Sequence, residues 1–271
     1  MDIAFAFDEG YADHVPVAVE SVLECHPGRE DLTLWLLTTA GVKAAREREL
    51  HRQVDGRAQL RLMTAGEEFR SLGTPVREVF QYISTGMYLR LLLPGRLPSN
   101  VERVLYLDTD VLVEGDLSPL WEMALGQAPL AAVRDHFTGT INARGGVPGA
   151  PPELDGSAPY FNSGVLLIQT RAWRELEVTK RCLDYLDQQR ERLRLPDQDA
   201  LNLVTHGRWV ELEGKWNNHV SWWNPDAPPD DVRVMHFLGP KKPWHDDFQF
   251  AAYRERYIRL RARVASGSWI S

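Results

Sequence analysis

The chain has 271 residues, of which 44% are hydrophobic and 25% are charged, as in an ordinary globular protein with a sizeable core. The formal net charge of −7 argues against a general nucleic-acid-binding protein, which would present a basic face. The sequence contains no run of about 18 apolar residues, so we expect no transmembrane helix.

The first hundred residues alternate between strand-like and helix-like segments. The first helix has apolar residues at i, i+4, i+7 and i+8 counted from Val15, with Asp13 as its predicted cap and Pro16 in its first turn. This alternation predicts a parallel sheet with helices on both faces. The predicted strands are Ile3–Phe7, Leu32–Thr38 and Gln59–Met63, and a second helix is predicted over Val42–Val54.

The rest of the chain continues the pattern around one long irregular segment, residues 138–159, which is rich in glycine and proline and typical of a functional loop. The further predicted helices are 75–93, ending at Pro94, then 171–190, 197–204 and 248–264, and the further strands are 104–107, 131–133, 165–168 and 232–237.

The absence of a linker predicts a single α/β domain over 1–271, with a Rossmann-like, mostly parallel central sheet. We expect two halves, 1–110 and 111–250, and a terminal helix at 248–264.

The chain has two cysteines, Cys25 and Cys182, which form no CxxC motif and indicate neither a zinc ribbon nor a redox pair. Cys182 lies in an apolar helical stripe and is expected in the core. This cysteine usage favours a reducing compartment, and the N-terminus shows no signal-peptide pattern.

Two carboxylates, Asp108 and Asp110, follow the buried strand 104–107. Ligands bind at the carboxyl ends of strands in open α/β sheets. Carboxylates two apart on an extended backbone point to one side, and a hard divalent cation relieves their repulsion. A turn after a strand also favours aspartate, so the motif alone is weak.

His236 ends the last apolar strand and is placed at the same sheet edge, where an imidazole ligand favours Mn²⁺ over Mg²⁺. The loop after it contains Gly239, which permits close approach to a phosphate, and Lys242, which supplies a point charge. A hydrogen-bonded core histidine and a solvated lysine remain the simpler explanations for each residue taken alone.

Other polar residues have both a functional and a structural interpretation. Asp8 ends the first strand and can accept a ribose or base hydrogen bond, with Tyr11 stacking on the base, or Asp8 can cap a helix. Asn162 lies in a segment that fits either sugar binding or a turn. Asp197 suits a helix N-terminus, whereas Gln198 is not needed there.

These motifs together resemble glycosyltransferase family 8, whose members have the GT-A fold and retain the configuration of the transferred sugar. The bacterial lipopolysaccharide α-galactosyl- and α-glucosyltransferases look most similar. The resemblance covers roughly residues 1–250, and its six segments occur in the family's order. They are 3–8, 88–91, 105–113, 160–165, 197–202 and 236–244.

The resemblance implies specific roles. Asp108, Asp110 and His236 would bind Mn²⁺, with Mg²⁺ as the alternative, and Asp197, Gln198 and Lys242 would form the catalytic set. The donor, a UDP-sugar, would contact Ala6, Asp8, Gly10, Tyr11, Arg90, Asp108, Thr109, Asp135, Asn162, Gly239 and Lys242. The Glu9-Gly10 pair departs from the polar residues common there, and the basic, aromatic tail of some relatives is missing.

We therefore predict a retaining, Mn²⁺-dependent transferase that moves galactose or glucose from a UDP-hexose to a glycan or glycolipid acceptor. Its expected location is cytoplasmic, with at most peripheral contact at the inner membrane face and no nucleic-acid partner. The alternatives are a metal-dependent UDP-sugar hydrolase or phosphohydrolase and a non-enzymatic carbohydrate-binding domain. A glycoside hydrolase fits less well, because Asp108 and Asp110 are too close in sequence to flank a glycosidic bond.

Overall fold

The computed structural model describes residues 1–29, 31–39, 43–66, 85–221 and 230–267. Its central sheet has seven strands in the order β3-β2-β1-β4-β7-β6-β8, and only β7 runs antiparallel to both of its neighbours. The strands are β1 (Asp2–Phe7), β2 (Thr33–Thr38), β3 (Gln59–Thr64), β4 (Arg103–Leu107), β6 (Leu130–Arg134), β7 (Phe161–Gln169) and β8 (Trp209–Leu212). The predicted α/β class with a mostly parallel sheet is confirmed.

Helices cover both faces of this sheet, as the alternating pattern predicted. Residues Ile3, Phe5 and Phe7 of β1 pack on one face against helices α1 and α2, while Ala4 and Ala6 face α3, α5, α6 and α7 on the other. Period-2 alternation on a strand produces this division. The helices are α1 (Val15–Cys25), α2 (Ala44–Val54), α3 (Leu89–Arg96), α4 (Ser118–Trp121), α5 (Thr170–Glu175), α6 (Val178–Gln188), α7 (Pro196–Val204) and α8 (Ala251–Ser266).

A second, three-stranded sheet stands beside the first. It has the order β5-β10-β9, with β10 antiparallel to β5 and parallel to β9. The sequence placed strand 232–237 in the central sheet, and this is wrong, because the β10 residues pair with β5 and β9 instead. These strands are β5 (Val111–Val113), β9 (Asn218–Val220) and β10 (Val234–Phe237).

Two helix boundaries differ from the prediction. Helix α3 continues past Pro94 to Arg96, because a proline this close to the end forfeits one backbone bond and the Leu97 N–H still reaches the Leu93 carbonyl at 3.3 Å. The single helix predicted over 171–190 is two helices, since Glu177 has φ 49°, which breaks the helical hydrogen-bond ladder. Most of the helix predicted over 75–93 lies outside the described residues.

The first helix begins as predicted with Pro16 in its first turn, but Asp13 does not cap it. The N-cap is His14, and the Asp13 carboxylate pairs with Arg46 of α2 instead. Cys182 is buried as expected, Cys25 is half-buried, and both thiols are free.

The terminal helix α8 packs on α1 through Tyr257, Leu260 and Val17, where it closes a third apolar cluster. Its arginines are largely paired: Arg256 and Arg263 bind Glu24, and Arg254 binds Asp246. Within the described part of the chain, no helix is long and apolar enough to cross a membrane.

Candidate active site

A cavity of about 710 Å³ opens at the carboxyl ends of β1 and β4. The register of the parallel pair, Phe5 beside Leu107, brings the residues that follow both strands to one edge. The antiparallel β7 begins at this edge, so Asn162 and Ser163 enter the cavity from within a strand and not from the turn considered above.

Nearly every residue predicted for the site lines this cavity. Gly10 does not: it lies outside and donates its backbone N–H to Asp8 Oδ1 at 3.0 Å. The predicted residues that line the cavity are Ala6, Asp8, Tyr11, Arg90, Asp108, Thr109, Asp110, Asp135, Asn162, Asp197, Gln198, His236, Gly239 and Lys242.

Asp108, Asp110 and His236 form a compact cluster, with one ligand atom from each lying within 4.8 Å of the others. The two aspartates converge through a turn after β4 and not through an extended backbone. His236 comes from β10 of the second sheet, which is tied to this turn by the Phe237 N–H bond to the Asp110 carbonyl, 3.0 Å long.

Each aspartate has one oxygen engaged by the protein and one directed at the histidine. Asp108 Oδ1 accepts from the Tyr106 hydroxyl at 2.6 Å and from Arg90 at 2.9 Å, while Oδ2 lies 3.8 Å from His236 Nε2. Asp110 Oδ2 accepts from Lys242 at 2.6 Å, and its Oδ1 lies 3.4 Å from the same nitrogen. Two carboxylate oxygens and one ring nitrogen therefore converge.

A chain of hydrogen bonds determines which nitrogen of His236 carries the proton. The Gly164 backbone N–H can only donate, so the Asn162 atom that it meets at 2.9 Å is the oxygen. That oxygen in turn accepts from the Asn217 amide nitrogen at 2.9 Å, which leaves the Asn217 oxygen 2.9 Å from His236 Nδ1. Nδ1 must then carry a proton, and Nε2 is the ring nitrogen that faces the carboxylates.

The close approach of β7 explains why position 164 is glycine. A Cβ on Gly164 would lie 2.1 Å from His236 Cε1 and 2.9 Å from Asp108 Oδ2. Atoms that close overlap, so the strand can pass behind the cluster only where the side chain is a hydrogen atom.

The surrounding charges act on the acids in opposite directions. Burial raises the pKa of the Asp108 carboxyl above its usual value. Burial pushes the pKa of Asp110 in the same direction, but the Lys242 ammonium beside it lowers the pKa of that carboxyl well below its usual range. Lys241, by contrast, pairs with Asp247, and its side chain is 61% exposed.

The donor set fits a divalent cation. Two carboxylate oxygens and an imidazole nitrogen are ligands that Mn²⁺ or Mg²⁺ accepts. The hydrogen bond at Nδ1 leaves Nε2 as the nitrogen that would bind the cation. The residues present therefore match the cation that the motif predicted.

A second buried network lies at the opposite side of the cavity. Gln198 Oε1 accepts from the Ser163 backbone N–H at 3.0 Å, and its amide nitrogen lies 3.4 Å from Asp135 Oδ2. Asp197 pairs with Arg90 at 3.0 Å and accepts from the Ser163 hydroxyl at 3.1 Å. These contacts fix the orientation of both predicted catalytic side chains, Asp197 and Gln198.

Asp8 and Tyr11, the residues predicted to hold the ribose and base, also line the cavity. The Tyr11 ring meets the Trp244 ring edge-on, with centroids 5.9 Å apart. Trp244 itself stacks on His14 at 3.8 Å, so aromatic packing holds the 239–244 loop against α1.

Sequence reasoning missed three residues of the site. Asn217 orients His236, Ser163 binds three of the predicted side chains, and Tyr106 saturates one oxygen of Asp108. The sequence could have indicated the Tyr106 contact, because Tyr106 lies only two residues before Asp108. Asn217 had no such local signal, because its partners are 19 and 55 residues away.

Comparison with known proteins leads to the same family that the sequence motifs resemble. The model of glycosyl transferase family 8 matches residues 2–247. General stress protein A of Bacillus subtilis is 25% identical over 95% of this chain and 92% of its own length. The lipopolysaccharide glucosyltransferase WaaO of Escherichia coli is 26% identical, over 91% of this chain and 73% of its own. The structure of the galactosyltransferase LgtC with donor and acceptor sugar analogues is 30% identical, with a TM-score of 0.80 over 97% of this chain and 95% of that one.

Proposed function

The chain belongs to glycosyl transferase family 8, and on that premise we propose that it transfers galactose or glucose from a UDP-sugar to an acceptor hydroxyl with retention of configuration and dependence on Mn²⁺. It is a glycosyltransferase of the GT-A fold, like LgtC. The observation that carries the proposal is the convergence of Asp108 Oδ2, Asp110 Oδ1 and His236 Nε2 at one point of the cavity.

The proposed donor spans the cavity from Asp8 to Gln198. Ala6, Asp8 and Tyr11 would hold the uridine at the end of β1. The diphosphate would lie between the Asp108–Thr109–Asp110 turn and the 239–242 loop, whose Gly239 has φ 82° and presents no side chain. The sugar would contact five polar residues that also line the cavity, which are Arg90, Asp135, Asn162, Asp197 and Gln198.

The bound cation would neutralise charge on the leaving diphosphate as the glycosidic bond breaks. Lys242 would act beside it as a fixed positive charge, since its side chain is only 7% exposed and is held by Asp110. Both charges are in place before the reaction, so little reorganisation is needed when negative charge develops.

The configuration of the transferred sugar would be retained if the acceptor hydroxyl attacked from the face that UDP leaves. Gln198 is a weak nucleophile, and its Oε1 already accepts the Ser163 backbone N–H. We therefore favour front-face attack through an oxocarbenium-like state over a stable covalent intermediate. The acceptor hydroxyl would approach beside Gln198 and pass its proton to the departing phosphate oxygen.

The acceptor would be a glycan or glycolipid, in line with the names of WaaO and LgtC, which are given as a lipopolysaccharide glucosyltransferase and a galactosyltransferase. A cytoplasmic location with at most peripheral membrane contact fits this acceptor. We retain UDP-sugar hydrolysis as the second candidate, because the cation and phosphate groups would serve water as well as a sugar hydroxyl.

A donor screen tests the proposal. UDP release from UDP-galactose, UDP-glucose and other UDP-hexoses is measured in Mn²⁺, in Mg²⁺ and in EDTA, with and without a mixture of glycan acceptors. We expect one UDP-hexose to be consumed, EDTA to stop the reaction, and acceptor to accelerate it with formation of an α-linked product. Metal-dependent UDP release that no acceptor accelerates would favour the hydrolase, and no turnover of any UDP-hexose would contradict the proposal.

A further inference from the structure

Two arginines stand at the sugar end of the cavity without an acidic partner. Arg144 and Arg194 both line it, and neither forms an ion pair with any carboxylate in the described ranges. The other cavity cations are paired, since Arg90 contacts Asp108 and Lys242 contacts Asp110. Among the described cavity residues, Arg144 and Arg194 are therefore the two cations without a carboxylate at ion-pair distance.

Arg144 lies in a backbone conformation that is costly for its residue type. Its φ of 55° and ψ of 32° are left-handed, and Gly145 and Gly146 follow with φ of 89° and 79°. Among the described residues, Glu177 is the only other non-glycine with positive φ. Left-handed non-glycine residues concentrate at functional sites, where the surroundings must hold them in place.

Arg194 is the group that holds this turn. Its two terminal guanidinium nitrogens donate to the backbone carbonyls of Arg144 and Gly146. These bonds clamp the turn from both sides and keep Arg194 facing the loop, so Arg194 acts as a support for Arg144. The half-buried Arg194 therefore leaves ligand binding to the exposed Arg144.

The Arg144 side chain is directed by Phe137. Its Nε donates to the Phe137 carbonyl at 3.1 Å, and its guanidinium carbon lies 5.7 Å from the centroid of the Phe137 ring. Neither terminal nitrogen bonds to a residue in the part of the chain that the structure describes. Two parallel N–H donors thus remain for a planar or tetrahedral anion, which a guanidinium binds in a bidentate manner.

Arg144 is linked to the part of the cavity that the proposed function assigns to the donor sugar. It bonds to the Phe137 carbonyl, and the Phe137 N–H bonds at 2.9 Å to Asp135 Oδ1, whose other oxygen faces Gln198. Lys242, by contrast, contacts Asp110 of the cation cluster. In the proposed function, the space beyond the donor sugar belongs to the acceptor.

We propose that the acceptor carries an anionic group, a carboxylate or a phosphate, and that Arg144 binds it. The inference rests on the proposed function, which assigns one part of the cavity to the donor diphosphate and another to the donor sugar and acceptor. It makes the acceptor an acidic or phosphorylated glycan, and it gives the 138–159 segment the task of selecting that acceptor.

The test measures sugar binding directly by ligand-observed NMR titration, with the protein alone and again with UDP and Mn²⁺. The probes are methyl β-glucoside, methyl β-glucuronide and glucose 6-phosphate, with the corresponding galactose series, so that charge changes while the ring stays the same. We expect a charged probe to bind at least about tenfold more tightly than its neutral counterpart. The stronger of the two charged probes distinguishes carboxylate from phosphate.

The variant Arg144→Gln should reduce the ratio of charged to neutral affinity by about tenfold or more. Its side chain is exposed, so the substitution should leave folding unaffected. The matched control is Arg192→Gln, which removes an equal charge from an exposed position outside the cavity. Charged and neutral probes that bind within about threefold of each other, or equal behaviour of the two variants, would overturn the inference.

The donor screen above keeps the two proposals apart. A protein that prefers charged sugars through Arg144 yet releases no UDP supports the anion site and contradicts the proposed function. A protein that consumes a UDP-hexose but binds charged and neutral sugars equally contradicts only the anion site.

Discussion

Two networks of charged side chains in this molecule contain the same kinds of groups but differ in how completely acids and bases are paired. The first, which we call the terminal clamp, joins α8 to the body of the fold. The second surrounds the cation cluster. The clamp consists of Glu20, Glu24, Glu114, Arg57, Arg256 and Arg263, and the site network consists of Asp108, Asp110, Asp135, Asp197, Arg90, Lys242 and His236.

The clamp neutralises itself, whereas the site network does not. Three carboxylates face three arginines in the clamp, and contacts such as Arg57 to the fully buried Glu20 at 2.9 Å leave no charge over. Around the cation cluster, Asp108 pairs with Arg90 and Asp110 pairs with Lys242, but one oxygen of each acid is left facing His236. We therefore infer that the clamp serves stability and that the site network is completed by a ligand.

The largest expected effect comes from deleting one acid of the unbalanced network. Asp110→Ala should lower UDP-sugar turnover by at least about 10³-fold, because several kcal/mol of charge stabilisation depend on the bound cation. The measurement is UDP release in Mn²⁺. Glu24→Gln, an acid removed from the clamp, should keep turnover within about twofold and lower the free energy of unfolding by about 1 kcal/mol. Full activity of Asp110→Ala in chelator would remove the cation from the mechanism.

Lys242 and Lys241 offer the next test, since they are adjacent and differ only in surroundings. Lys242→Ala should lower kcat by about 10²–10³, or about 2.7–4 kcal/mol, if its charge acts on the leaving group. Lys241→Ala should change kcat by less than about threefold. A rise in KM alone for Lys242→Ala would instead indicate uniform binding of the donor. A larger effect of Lys241→Ala would show that Lys241, and not Lys242, stabilises the leaving group.

Asn217 should act on the cation without touching it. Asn217→Ala removes the acceptor that keeps the proton on His236 Nδ1, and Mn²⁺ affinity should fall about 10–100-fold. Titration followed by electron paramagnetic resonance measures this affinity without turnover, and ¹⁵N shifts of His236 report the tautomer. Asn218→Ala, one residue away, is the control. An unchanged tautomer and Mn²⁺ affinity in Asn217→Ala would show that the hydrogen-bond chain is dispensable.

The smallest effect is expected at the membrane. The five arginines in 253–264 predict attraction to anionic lipid, but the clamp already pairs Arg256 and Arg263 with glutamates. Flotation should therefore recover similar amounts of protein with neutral and anionic liposomes. Clear enrichment on anionic liposomes, lost at high salt, would show that α8 retains charge for a lipid surface.

Local patterns predicted the parts of the fold in which neighbours in sequence are neighbours in space. Apolar runs located β1, β2, β3 and β4, and the acids after β4 marked the site. The second sheet was not predictable in the same way, because β5 and β9 have three residues each and β5 pairs with β10, a strand far along the chain. Asn217 shows the same limit, since only the folded chain brings it to His236.

The break at Glu177 was hidden for another reason. The residue that breaks the helix is a glutamate, and neither glycine nor proline marks the position, so the sequence gives no local signal for a positive φ there. At Pro94 the error was the opposite, since a helix end was predicted where the helix continues. A proline close to a helix end costs less than the rule for helix interiors suggests.

Gly164 has a consequence for protein engineering. A designer who grafts an aspartate pair and a histidine onto another α/β scaffold would copy the three ligands and their spacing. In this protein, the neighbouring strand must also offer bare backbone, because even an alanine methyl would occupy the volume of the imidazole. The transplantable unit therefore has four positions, and the fourth contributes only the absence of a side chain.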